Sequence, residues 1–288
     1  MYHPDMERRT GLSRRTASRW IGAGVAAAAA RPALPSTQGR LKQSVARWCF
    51  AKIPLEEFCA QAAGMGLTGI DLVDPEDWPM LRKYNLTPAM TQGKAVITDG
   101  WNRKENHDRL ERDLRERIAL AAEAKVPNAI AFSGNRRGLS DEEGRDNCVL
   151  GLRRVAGFAE DRGVTICVEL LNSKVDHKDY QCDHTRWGVE LVKAVDSPRV
   201  KLLYDIYHMQ IMEGDVIRTI RDNIRYIGHF HTGGVPGRHE LDDTQELQWR
   251  TIARGIADLN FDGWLAHEFV PAKDPLTGLR QAVELCTV

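Results

Sequence analysis

Three carboxylates and one imidazole, Glu169, Asp205, His231 and Glu268, stand near the carboxyl ends of four apolar runs at residues 164–171, 200–206, 226–231 and 264–270. They are separated by 36, 26 and 37 residues. Each interval fits one strand plus one helix, so a barrel of repeated strand and helix units would bring all four to the same rim. Three carboxylates meeting there repel one another unless a cation makes them ligands. With the imidazole they form a hard oxygen and nitrogen set suited to one divalent metal ion, manganese, magnesium, cobalt or zinc. Any one of the four alone reads as readily as a structural ion-pair partner or a satisfied buried histidine; their common place on four consecutive strands is what makes a site.

The run at 226–231 puts His229 and His231 on one strand face, because side chains two apart point the same way. Thr232-Gly233-Gly234-Val235-Pro236-Gly237 cannot extend that strand, and the loop it opens carries Arg238, His239 and Glu240.

The elements that must position these residues recur from Ser44 onward. Strands are predicted at 45–50, 69–73, 86–91 and 128–132, ahead of the four above. Helices are predicted at 55–65, 75–84, 108–124, 141–162, 185–195, 215–223, 246–259 and 276–286. In the third helix Leu110, Leu114, Ile118 and Ala121 fall on one face. The run at 164–171 is apolar except for Thr165 and Glu169, the pattern of a strand buried on both faces in a parallel sheet. Eight such units in one uninterrupted series predict an α/β fold, a closed (β/α)8 TIM barrel, as a single domain over 44–288.

Acidic and basic residues balance at 40 each, which leaves no field to draw the chain onto nucleic acid or an anionic membrane. The six cysteines are scattered without a CxxC pair, so neither a zinc ribbon nor a disulfide scaffold is expected. Cys49 and Cys167 read as packing thiols. No apolar stretch is long enough for a stable membrane anchor. Residues 1–43 read as an extension outside the fold, in which Ser13-Arg14-Arg15-Thr16, an apolar segment at 20–30 and Arg31-Pro32-Ala33 follow the order of a twin-arginine export signal. Export to the periplasm is the expectation, with a cytoplasmic location if that signal is not functional.

Four stretches carry a resemblance: Val168-Glu169-Leu170-Leu171-Asn172, Tyr204-Asp205-Ile206-Tyr207-His208-Met209, Gly228-His229-Phe230-His231-Thr232 and His267-Glu268-Phe269. They are similar to the metal-site motifs of the xylose-isomerase-like barrel superfamily, and within it they most resemble the hydroxypyruvate isomerase family. Asp176-His177-Lys178-Asp179-Tyr180, Pro236-Gly237-Arg238-His239-Glu240 and Gln245-Glu246-Leu247 extend the likeness. The resemblance implies that Glu169, Asp205, His231 and Glu268 bind one divalent metal while His208 and Arg238 contact the substrate. Many hydroxypyruvate isomerases carry glutamine at the metal-binding histidine position, and here His231 is similar to the ketose 3-epimerases. Those epimerases tend to have an acidic residue where Val175 stands. Relatives of this scaffold are often dimers or tetramers, so the resemblance also implies a homo-oligomer.

The chemistry expected of such a set is proton transfer in a small hydroxy-carbonyl or sugar substrate through a metal-stabilised enediolate. Glu169 and Glu268 are the expected acid and base, His208 polarises an oxygen, and Arg238 holds a substrate carboxylate or hydroxyl. Glu246 is expected to line the pocket, and Trp48 and His107 to offer ring faces to a sugar. His177 and Asp179 read as a loop hydrogen-bond pair. An isomerase of hydroxypyruvate type is the leading reading. A ketose 3-epimerase or another carbohydrate-modifying lyase or hydrolase fits the same metal core, and an exported, non-catalytic sugar-binding protein is the alternative of another class.

Overall fold

Short strands with almost no solvent-facing side chain need a parallel sheet covered by helices, because only then are both strand faces buried. A computed structural model describes residues 39–94 and 96–288 and has this arrangement. Its strands are β1 (Lys42–Val45), β2 (Gly69–Asp71), β3 (Thr87–Met90), β4 (Asn128–Ala131), β5 (Thr165–Glu169), β6 (Val200–Asp205), β7 (Ile227–Thr232) and β8 (Trp264–His267). Six pair in the order β1-β8-β7-β6-β5-β4, and β2 pairs with β3. Both seams are bridged, Ala46 to Asp71 and Thr91 to Ala129. Across them Thr68 N–H donates to the Gln43 carbonyl at 2.9 Å, and Ile130 N–H to the Thr91 carbonyl at 3.1 Å. The strands thereby close into a TIM barrel, as the alternating pattern predicts.

Helices cover the outside: α1 (Leu55–Gly64), α2 (Trp78–Lys83), α3 (His107–Glu123), α4 (Asp141–Arg162), α5 (Thr185–Val195), α6 (Ile206–Met212), α7 (Val216–Asn223), α8 (Trp249–Ala257) and α9 (Pro275–Cys286). The apolar face of α3 is buried at Leu110, Leu114, Ile118 and Ala121. Helix α4 occupies the predicted residues for a legible reason. Ser140 caps its start by accepting the Glu143 N–H at 3.1 Å, and Gly163 leaves its end in the left-handed region at φ 68°.

Two expectations are corrected at the start of the barrel. The first strand is Lys42–Val45 and not residues 45–50; Arg47–Phe50 forms a 3-10 turn instead. Leu41 is buried and Lys42 pairs with Trp264, so the fold begins before residue 44. Of the predicted export signal, residues 1–38 lie outside the described residues. Helix α6 was not predicted: it begins directly at the end of β6, where Asp205 caps it. Among the described residues no helix is long and apolar enough to cross a membrane.

The register sets the rim. Asp205 lies opposite His231 across β6 and β7. Glu169 lies opposite Leu203, two positions before Asp205 and therefore on the same face. His267 pairs with Thr232, so Glu268 follows one residue beyond the last β8 pair.

Candidate active site

At the carboxyl ends of β5 to β8 the structure brings Glu169, Asp205, His231 and Glu268 together. One ligand atom from each lies within 4.8 Å of every other, and all four side chains are buried. His231 Nδ1 stands 2.6 Å from a Glu268 carboxylate oxygen and 3.4 Å from one of Glu169. Arg238 closes the group. Its guanidinium donates to Asp205 Oδ2 at 3.0 Å and to Glu268 Oε2, and it lies over the rings of Trp48 and Tyr207 at 5.5 and 5.3 Å. The Trp48 indole N–H donates to the other oxygen of Glu268 at 2.5 Å. Gly237 and Arg238 both take left-handed backbone, at φ 90° and 58°, which turns the loop after β7 back over the rim. For arginine that conformation costs about 1 kcal/mol; the contacts made by its side chain hold it there.

Charge is crowded in this space. Burial pushes the Asp205 carboxyl up, even with the Arg238 guanidinium beside it pulling the other way. Glu268 is buried too, yet Arg238 and His231 hold it below the usual carboxylate range. Burial alone would lower His231, but Glu268, Asp71 and Glu169 around it raise it well above the ordinary histidine value. Three carboxylates thus face one guanidinium and one imidazole. Both ring nitrogens of His231 and Nε2 of His208 are fully buried without an aligned hydrogen-bond partner, although carboxylate oxygens are close. Buried polar atoms left in this way call for another partner, and hard oxygens with one imidazole nitrogen fit a divalent cation.

A second buried group backs His231. Asp71, at the end of β2, places Oδ2 2.5 Å from His229 Nε2 and 3.4 Å from His231 Nε2. Although burial pushes the Asp71 carboxyl up, the two histidines hold it below the usual carboxylate range. His231 therefore turns Nδ1 to the four-residue cluster and Nε2 to Asp71. Asp71 is not among the residues expected from the last four strand ends, although an acidic residue closing Gly69-Ile70-Asp71 obeys the same strand-end rule.

The remaining predicted residues divide. His208, in the first turn of α6, is fully buried with Nε2 3.5 Å from Asp205 Oδ2. Burial and the nearby Arg238 charge push its pKa well down, so its imidazole is neutral. Trp48 and Arg238 reach the cluster directly. Glu246 does not: it is exposed and accepts from the Gln210 amide at 3.1 Å. His107 does not either, since it is buried at the start of α3 with Nε2 2.9 Å from the Trp101 carbonyl and its ring 5.8 Å from that of Trp101. His177 and Asp179 do not pair through their side chains. The Asp179 carboxylate accepts the Arg137 N–H at 2.7 Å, whereas the His177 ring packs edge-on against His208 at 5.3 Å. Cys167 is buried and Cys49 half-buried, and all six cysteines are free thiols.

Comparison with known proteins shows similarity of sequence and fold. A putative hydroxypyruvate isomerase of Danio rerio is 31% identical over 134 residues, 46% of this chain and about half the length of that relative, 49%. The 2-oxo-tetronate isomerase of Pectobacterium atrosepticum is 25% identical over 242 residues, covering 80% of this chain and 92% of that one. Among solved structures, an AP endonuclease of family 2 from Brucella melitensis superposes with a TM-score of 0.74 at 24% identity, over 83% of this chain and 97% of that one, a likeness of fold. The xylose isomerase-like TIM barrel family matches residues 59–287. With that match spanning seven of the eight strands, and the rim residues drawn from the strand ends within it, the chain belongs to the xylose isomerase-like TIM barrel family.

Proposed function

We propose that this protein is an enzyme of the isomerase class that moves a proton between adjacent carbons of a small hydroxy-carbonyl compound, of hydroxypyruvate type. The observation that carries this reading is the meeting of Glu169, Asp205, His231 and Glu268 at one rim beneath Arg238. The two relatives named as hydroxypyruvate and 2-oxo-tetronate isomerases support it.

Glu169, Asp205, His231 and Glu268 would hold one divalent ion, manganese, magnesium, cobalt or zinc. When bound, that ion supplies positive charge to the carbonyl and neighbouring hydroxyl oxygens of the substrate, which makes the carbon-bound proton more acidic. Glu169 and Glu268 serve as base and acid, one carboxylate removing the proton and the other returning a proton to the adjacent carbon, while the hydroxyl proton passes to the former carbonyl oxygen. His208 donates a hydrogen bond to the oxygen that gains charge as the proton leaves. Arg238 holds a substrate carboxylate or hydroxyl, with Trp48 and Tyr207 fixing the plane of its guanidinium.

Ketose 3-epimerisation is the second reading, favoured by the imidazole of His231 among the carboxylates. A panel of hydroxypyruvate and ketoses, run in deuterated water with and without added manganese, separates the two. Manganese-dependent deuterium uptake into hydroxypyruvate, accompanied by its aldehyde isomer, is the expected result; uptake into ketoses alone favours the epimerase. Glu169→Gln and Glu268→Gln should each lower conversion of hydroxypyruvate to the aldehyde isomer by about 100-fold or more. Conversion retained by either variant removes that residue from the mechanism.

A further inference from the structure

Three residues beyond the end of β5, the Asn172 side chain lies between a loop and the buried ring of His208. Its orientation is fixed from both ends. Oδ1 accepts the backbone N–H groups of Val175 and Asp176 at 3.0 and 2.9 Å. Nδ2 therefore faces the other way, 2.7 Å from Asp176 Oδ2 and 2.7 Å from His208 Nδ1. A flipped amide would set its oxygen against the Asp176 carboxylate and its hydrogens against two N–H donors. The Tyr207 hydroxyl reinforces the arrangement by donating to the same Asp176 oxygen at 2.8 Å.

An amide nitrogen has only hydrogens to offer, so His208 Nδ1 must accept and carries no proton. In a neutral ring the single proton then sits on Nε2. That atom is buried, has no aligned partner and lies 3.5 Å from Asp205 Oδ2, on the side of the four-residue cluster.

We propose that Asn172 is a positioning residue that fixes the His208 tautomer, so that the ring meets the substrate as an Nε2–H donor and not as a lone pair. The role in turnover rests on the isomerase reading above; the tautomer itself does not. A donor at this place suits an oxygen that becomes more negative as a carbon-bound proton departs, whereas a lone pair would repel it. The short helix α6 contributes by keeping the ring in line, because Asp205 caps it through the His208 N–H at 3.3 Å.

The test is nitrogen-15 spectroscopy of histidine-labelled, metal-free protein, with the His208 signals assigned by their loss in His208→Gln. Wild type should have its ring proton on Nε2. In Asn172→Asp the loop keeps its Oδ1 acceptor, but a carboxylate oxygen faces Nδ1 and draws a proton onto it. Turnover should then fall by roughly 10- to 100-fold with KM little changed. Should repulsion from Asp176 prevent that variant from folding, the pair Asn172→Asp with Asp176→Asn restores a hydrogen bond between the two side chains and should give the same proton shift. A wild-type ring protonated on Nδ1, or a variant whose tautomer and turnover both match wild type, overturns the proposal. Inactivity of wild type on every hydroxy-carbonyl compound would instead sink the isomerase reading and leave the tautomer assignment standing.

Discussion

His231 is the residue on which the two buried groups at the rim depend, because each of its ring nitrogens faces a different one. Nδ1 faces Glu268 and Glu169, while Nε2 lies 3.4 Å from Asp71. A carboxylate behind a ligating imidazole keeps the outer proton on the far nitrogen and leaves the near lone pair for the ion. Asp71→Asn should therefore weaken manganese binding about 10- to 100-fold, read by calorimetric titration, and His229→Gln should weaken it less. Unchanged affinity in Asp71→Asn, with only thermal stability reduced, would confine Asp71 to a structural pair with His229. The four strand-end residues were legible in the sequence because each interrupts an apolar run at its carboxyl end. Asn172 was not, because its part depends on a loop turn that brings the N–H groups of Val175 and Asp176 onto one oxygen. Glu246 was misread for the converse reason: nearness to the loop after β7 does not decide which way an exposed side chain faces.

At the scale of elements, the loops after β4 and β5 hold each other in place above the rim. Arg136 donates to Asp183 at 3.0 Å and to Asp141 at 3.2 Å, and also reaches the carbonyls of Tyr180 and Gln181. Asp183 accepts from Ser173 at 2.6 Å as well and contacts His184, which ties the loop containing Asn172 to the start of α5. Burial pushes the Asp183 carboxyl up, but Arg136, Ser173 and His184 together hold it below its ordinary value. A carboxyl lowered in the folded state contributes stability that is complete above its unfolded pKa of about 3.9 and is lost as pH falls through the lower folded value. Asp183→Asn should cost about 1–3 kcal/mol near neutral pH. Denaturant titrations below about pH 4 should find the gap between variant and wild type closing; a gap that widens with acid would contradict this account. Helix interiors were legible from spacing, as in α3, and from caps, as in α4, whereas α6 was hidden because Asp205 serves both as the last residue of β6 and as the cap of the next helix.

For the whole molecule, eight repeats of strand and helix were readable because burial of both strand faces imposes one apolar pattern throughout. Closure does more than shape the core. Residues from β5, β6, β7 and the turn after β8 can meet only if the sheet curves, so the site exists only in the folded barrel and an ion held there binds only that state. Binding should accordingly stabilise the protein by mass action, by about 2.7 kcal/mol at one hundred times the dissociation constant. In a chain of this size that corresponds to a rise in Tm of roughly 4–6 °C. Differential scanning calorimetry should record such a rise when manganese is added to metal-free wild type and its reversal by a chelator. Asp205→Asn gives a sharp comparison: burial already opposes charge on this carboxyl, so the neutral amide should leave the metal-free protein about as stable while abolishing most of the rise. An equal rise in Asp205→Asn would place the stabilising ion elsewhere on the barrel and separate the fold from the chemistry assigned to its rim.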